Sequence, residues 1–277
     1  MIENLSLAAM FDSLFLLPFA SGLCFAILLP LLGSYLRLRG EWLAALAYAN
    51  VSAGGALAAL ALGAPLSLGG LLAAVGGATL KRGLRHRLAQ GTAYALLLML
   101  GWALAILLTA NLPMAERLGH ALFDGQLYFT GWPHLLLSLA GLSVGLLVLR
   151  LLSRHLLLAH VFPQLSLARG CGGRHDFVFD LLVAVVLALA TMVLGVMAAF
   201  ALTFVPAWFA FASARHWRHN LWLGLGGGVS AYVLAFVLAL WLDQPFGPLL
   251  TVCLVVLACL LVLLRRDCAS ARNMLKV

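Results

Sequence analysis

Residues 153–180 read SRHLLLAHVFPQLSLARGCGGRHDFVFD, the longest polar interruption between the apolar runs of this chain. The stretch holds Arg154, Arg169 and Arg174 together with His155, His160 and His175. In its middle, Phe162-Pro163-Gln164-Leu165-Ser166-Leu167-Ala168-Arg169-Gly170 predicts a short amphipathic helix. Pro163 suits a first helical turn, where a missing N–H costs nothing, and Gly170 suits the position after the last turn. Leu165, Ala168 and a flanking apolar residue would share one face. Either a helix of this kind is presented to something outside a bilayer, or the stretch is a basic loop lying on lipid headgroups.

Composition places the rest of the chain in the membrane. Of its 277 residues 64% are hydrophobic and 9% charged, and mean hydropathy is +1.09, whereas roughly a quarter of a soluble domain is charged. No polar stretch is long enough to fold separately, so one transmembrane domain is expected over 1–277. The formal net charge of +8 is no nucleic-acid signal, because the Lys and Arg sit in short clusters between apolar runs. The first apolar run lacks a basic leader and a small-residue cleavage site, so it is expected to be a retained span. The five cysteines form no CxxC pair, so neither a disulfide framework nor a zinc motif is expected.

A helix needs about 20 residues to cross a hydrocarbon core of about 30 Å. Apolar runs at 13–36, 43–62, 66–80, 91–110, 132–152, 177–197, 199–214, 221–241 and 247–264 therefore predict an all-α bundle of eight to nine transmembrane helices. Breaks at Arg37/Arg39, Lys81-Arg82 with Arg85/Arg87, the central stretch of about 154–176, Arg215/Arg218 and the tail of about 265–277 are basic, whereas the intervening breaks carry only Arg117. By the positive-inside rule the basic breaks, and the C-terminus, face the cytoplasm. The uncharged run between Asp180 and Arg215 is too long for one crossing, so it is expected to turn back near residues 195–200, with one limb broken or re-entrant. Glycines and alanines cluster at 53–56, 69–70, 76–77, 141/145 and 224–228, which predicts close helix approach within a compact bundle or at a subunit contact.

Charged residues deep within spans, the mark of proton or sodium coupling, are essentially missing, since Glu41, Asp176, Asp180 and His134 all fall at span ends. No GxxxxGK[ST] loop is present, so the chain is not expected to be an enzyme, and energy for transport must come from another subunit. Most of the Ser, Thr and Tyr residues within spans are expected to bond backbone carbonyls. Asn50 differs: counted from Trp42 it lies about 12 Å into its span at about 1.5 Å per residue, where it either ties two helices together or lines a pathway. On the outer loop His120 and Asp124, four residues apart, could share a helical face as a weak metal pair, but two groups do not make a site. Cys171, His175 and His160 follow no zinc spacing.

Three places carry a resemblance to the permease subunits of zinc, manganese and iron ATP-binding-cassette importers, covering about residues 14–264. Leu31-Leu32-Gly33-Ser34-Tyr35-Leu36-Arg37-Leu38-Arg39 resembles the family's lead into its second helix, Phe162–Gly170 its coupling helix, and Val205-Pro206-Ala207 its x-P-A-x-x-A motif. The resemblance implies a second copy of the chain and two cytoplasmic ATPase subunits that bind ATP and magnesium, so that no cofactor resides in this chain. It also implies a periplasmic metal- or chelate-binding protein and the lipid of a bacterial inner membrane. Phe162, Pro163, Gln164, Leu165, Leu167, Ala168, Arg169 and Gly170 would then dock on the ATPase. Leu46, Tyr48, Asn50 and Pro206 become the candidates for the translocation path. Where the family typically has an Asp followed four residues later by a His, this chain has Leu46 and Asn50, poor ligands for a bare divalent ion. The expectation is an importer permease for a transition metal or metal chelate, with iron somewhat favoured over zinc and manganese. The alternatives are a membrane scaffold that has lost its cargo site and a facilitator channel.

Overall fold

Ten helices and no strand make up the described residues of the computed structural model, which are 13–84, 87–125, 127, 130–162 and 172–274. We number them α1 (Ser13–Leu38), α2 (Leu43–Ala61), α3 (Leu66–Leu84), α4 (Gln90–Asn111), α5 (Pro113–Asp124), α6 (Trp132–Val161), α7 (Gly172–Leu194), α8 (Val196–Ser213), α9 (Trp217–Leu242) and α10 (Phe246–Met274). Nine of these follow the apolar runs of the sequence, and α5 forms in the 111–131 loop. Among the described residues seven helices are long and apolar enough to span a membrane: α1, α2, α4, α6, α7, α8 and α9. α3 falls outside that set, with Lys81 and Arg82 in its last turn. In α10 the apolar part is the shorter Phe246–Leu261.

The central polar stretch is more helical than its composition suggests. α6 continues through Arg154, His155 and His160 to Val161, and α7 already begins at Gly172. At 30 residues, α6 is about 45 Å long at about 1.5 Å per residue, well beyond the hydrocarbon core. The expected turn in the 180–215 run falls at Gly195, whose φ of 88° lies in the left-handed region that suits glycine. Because α7 starts eight residues before Asp180, both limbs are continuous helices of 23 and 18 residues, and neither needs to be re-entrant.

α2 and α7 are the two apolar helices most enclosed by others. α3, α4, α7 and α8 pack around α2, and its residues from Ala44 to Ala59 are almost all buried. Small residues permit this. A Cβ on Gly101 of α4 would lie 2.5 Å from the Val51 nitrogen and 2.7 Å from the Asn50 oxygen, and one on Gly54 would lie 2.7 Å from the Gly101 oxygen. Gly55 and Gly69 face each other in the same way between α2 and α3. At such contacts backbone meets backbone, which is how membrane helices gain packing where lipid gives no hydrophobic drive.

Gly101→Val should therefore push α4 off α2 and destabilise the detergent-solubilised protein by about 1–3 kcal/mol, the usual range for overpacking. Gly76→Val on α3, where nothing lies within 4 Å, should leave thermal unfolding unchanged. Equal unfolding temperatures for the two variants would contradict the packing described.

Candidate functional site

Leu46 and Asn50 lie one turn apart on α2, and the fold sets them on one face. Leu46 is half-buried and packs against the small cluster formed by Ala49, Ala53 and Val196. Asn50 is 4% exposed, and its Nδ2 donates to the Leu46 carbonyl at 2.8 Å. The amide nitrogen thus bonds its own helix and ties no second helix to it; α4 is held at this level by the Gly101 contact instead. Tyr48 points to another side of α2, where it meets Tyr94 edge-on with ring centroids 5.8 Å apart. Pro206 sits in α8 against Gly228 of α9. The four path candidates are therefore not one cluster: Leu46 and Asn50 share a face, and Tyr48 and Pro206 look elsewhere.

One turn below Leu46, a cavity of about 300 Å³ opens between α1, the start of α2 and α8, lined by Gly33, Leu36, Arg37, Trp42, Ala45, Thr203, Phe204 and Ala207. A second cavity, of about 450 Å³, lies towards the opposite end and is bounded by Pro65, Leu118, Leu122, His134, Ser138 and Met192 among others. On α5, His120 and Asp124 are both exposed. Among the described residues no three His, Cys, Asp or Glu side chains are grouped as a metal site.

The most strongly built polar arrangement lies at the α1–α2 turn. Lys81, at the end of α3, sends its Nζ to Asp180 Oδ2 of α7 at 2.7 Å and to the Tyr94 hydroxyl of α4. That hydroxyl donates to Glu41 Oε2 at 3.1 Å, and Lys81 also pairs with Glu41 Oε1 at 3.5 Å. Arg39 reaches Glu41 at 3.0 Å, Asp176 at 3.4 Å and Asp180 at 3.5 Å, with its guanidinium 5.0 Å above the Phe179 ring. Glu41, Lys81 and Asp180 are all under 7% exposed. Burial alone would pull Arg39 below its ordinary pKa, but Glu41, Asp180 and Asp176 more than compensate and raise it, so the guanidinium stays charged. Two cations and three carboxylates from three chain segments, the α1–α2 turn, α3 and α7, are thus paired, with Asp176 left partly exposed.

In the sequence Lys81 and Arg39 read as orientation signals, Glu41 and Asp180 as span-end acids, and Tyr94 as a residue bonding a backbone carbonyl. Thr191 and Thr203 do bond their own helix; Tyr94 does not. The available signal was that acids and bases occur together at span ends that the charge rule places on one side of the membrane.

Of the central stretch, Phe162 caps α6 and is exposed, while Pro163, Gln164, Leu165, Leu167, Ala168, Arg169 and Gly170 lie outside the described residues. The helices on either side come together at His155 and His175, whose rings stack with centroids 4.2 Å apart.

Such a bundle, with seven helices long and apolar enough to cross a membrane among the described residues, is that of a multi-pass membrane protein. The model of the ABC 3 transport family matches residues 12–265, and the chain belongs to that family. Its permeases are membrane channels and not enzymes, ATP hydrolysis residing in a separate subunit. Among solved structures, PsaBC from Streptococcus pneumoniae in complex with a Fab is similar at a TM-score of 0.79 and 18% identity, over 92% of each chain. A chain described as a metal-chelate type ABC transporter, in an inward-facing conformation, is similar at a TM-score of 0.73 and 18% identity, over 90% of this chain and 85% of that one. No curated relative matches.

Lys81→Met would leave Glu41, Asp180 and Asp176 facing a single cation. Breaking a buried pair from one side typically costs about 3–5 kcal/mol, so the purified variant should unfold at a clearly lower temperature than the wild type. Unfolding at the wild-type temperature would show that the paired charges do not hold these helices.

Proposed function

We propose that the chain is the inner-membrane permease subunit of an ATP-binding-cassette importer for a transition metal or metal chelate, with iron favoured over zinc and manganese. On this reading, two copies of the chain sit over two cytoplasmic ATPase subunits that bind ATP and magnesium, and a periplasmic binding protein hands over the cargo. The chain acts as a single permease domain with its C-terminus in the cytoplasm. Membership of the family supports the transport class. The metal-chelate description of one structural relative agrees with the preference for a chelated cargo.

The observation that carries the cargo reading is the Leu46–Asn50 face. A leucine cannot ligate, and a neutral amide held by its own backbone is a weak donor for zinc beside imidazole or carboxylate. A bare divalent ion must exchange its water for fixed ligands as it moves, and this face supplies no ionised or imidazole pair. A chelate, which brings its own ligands, crosses such a lining more readily.

The purified permease should accordingly carry no stoichiometric zinc by mass spectrometry, while the Leu46→Asp, Asn50→His double variant should gain zinc or manganese and lose native uptake. Labelled iron, zinc and manganese supplied to cells lacking the gene measure that uptake. Stoichiometric zinc in the unmodified protein, removed by Asn50→Ala, would show a working ion site there and overturn the chelate reading. Absence of any uptake when the cognate ATPase and binding protein are present would favour the scaffold reading.

ATPase docking is assigned to Phe162–Gly170. A short helix seated in a groove depends on a few buried apolar anchors, so Leu165→Asp should abolish co-purification with the ATPase while Gln164→Ala should not. An intact complex with an unchanged ATPase rate in Leu165→Asp would remove this stretch from the docking site.

A further inference from the structure

We infer that the Arg39–Glu41–Lys81–Asp180 cluster is the positioning element that carries ATPase-driven movement of α7 to α2, the helix bearing Leu46 and Asn50. The inference rests on the proposed transport reading and adds to it which residues transmit the stroke.

Three observations place the linkage. Asp180 stands in the third turn of α7, the helix that follows the candidate ATPase-docking stretch in the chain. Arg39 and Glu41 form the turn between α1 and α2, immediately before the first turn of α2. Lys81 bridges the two directly, 2.7 Å from Asp180 and 3.5 Å from Glu41, and Arg39 spans the same pair from the other side at 3.5 Å and 3.0 Å. Acidic oxygens from α7 and from the α1–α2 turn are therefore held by two shared cations.

Charges buried in this way tolerate little separation. Moving one member away strands the others without water, so the elements travel together. α2 cannot absorb the displacement by bending locally, because glycine contacts with α3 and α4 hold its backbone on two sides. A shift applied at Asp180 thus arrives at the level of Leu46 and Asn50 as a shift of the whole helix.

The test compares Asp180→Asn with Tyr232→Phe in the complete transporter, reconstituted in lipid vesicles with its ATPase and binding protein. Asp180→Asn leaves two cations with Glu41 and Asp176, a balanced set able to stay folded, but removes the α7 acid that Lys81 holds. Tyr232→Phe removes a hydrogen bond from α9 to the Phe19 carbonyl of α1, 2.9 Å long and away from the cluster. The reading is labelled iron imported per ATP hydrolysed. Asp180→Asn should lower that ratio about tenfold, within the range by which residues of a coupling network act, with hydrolysis continuing. Tyr232→Phe should leave the ratio at its wild-type value even where total activity falls. Restoration of the ratio in Asp180→Glu, which returns the charge, would show that the carboxylate and not the side-chain volume matters.

A wild-type ratio in Asp180→Asn, or a fall shared equally by Tyr232→Phe, overturns the inference and leaves the transport reading standing. A wild-type protein that imports nothing under these conditions overturns both.

Discussion

The two cations Arg39 and Lys81 and the two carboxylates Glu41 and Asp180, with the partly exposed Asp176 beside them, cannot be taken out of water singly. The desolvation of each is recovered only by the others, through ion pairs at 2.7–3.5 Å. That constraint fixes which helix ends meet. Lys81 brings the end of α3 to α7, Tyr94 adds the first turns of α4, and Arg39 and Glu41 bring the turn that leads into α2. Elsewhere the buried interior is mainly apolar, and buried polar side chains such as Asn50, Thr191 and Thr203 bond their own helices, so they do not pair one helix end with another. Buried charged groups are expensive when mismatched, which makes them good at rejecting alternative packings.

Further into the bundle the constraint changes from charge to volume. Gly54, Gly55, Gly69 and Gly101 let α2 approach its neighbours until backbone atoms touch. Aromatic packing takes over between α1, α9 and α10, where Phe19, Tyr232, Phe236 and Phe246 surround one another with ring centroids 5.1–6.3 Å apart. These two modes leave α2 enclosed but give it one half-open side at Leu46, next to the cavity that Trp42 and Ala45 border. Leu46 is thereby held in position by its packing yet only half-buried.

The helices were legible in the sequence because apolar run length and the placement of basic residues are local signals. Even the turn at Gly195 could be anticipated, since an uncharged run with basic breaks at both ends has to reverse. The continuation of α6 to Val161 and the early start of α7 at Gly172 were not legible, because polar residues that leave the membrane can remain helical. The charge cluster was the least legible part. Its members lie up to 141 residues apart, and each has an adequate local explanation: an orientation signal for Lys81, an interfacial acid for Glu41. Only the pairing distinguishes a buried charge from a headgroup-facing one, and pairing is a property of the fold. Asn50 shows the converse. Its depth could be counted from the sequence, but the donation of its amide to Leu46 is a rotamer choice that periodicity does not specify.

On the proposed transport reading, the separation of the charge cluster from the Leu46–Asn50 face along α2 has a physical logic. If acids strong enough to hold Lys81 stood at the level of Asn50, they would also hold a passing cation, and release would be slow. Placing them below the first turn of α2, and neutralising them with Arg39 and Lys81, keeps their field from creating a trap on the Leu46–Asn50 face. The same acids still grip the elements around them. A helix whose base is fixed by ion pairs and whose middle is lined by Leu46 and a self-bonded Asn50 can move as a unit while offering its cargo little to bind. That combination suits the proposed reading, in which a separate binding protein selects the cargo and the permease passes it.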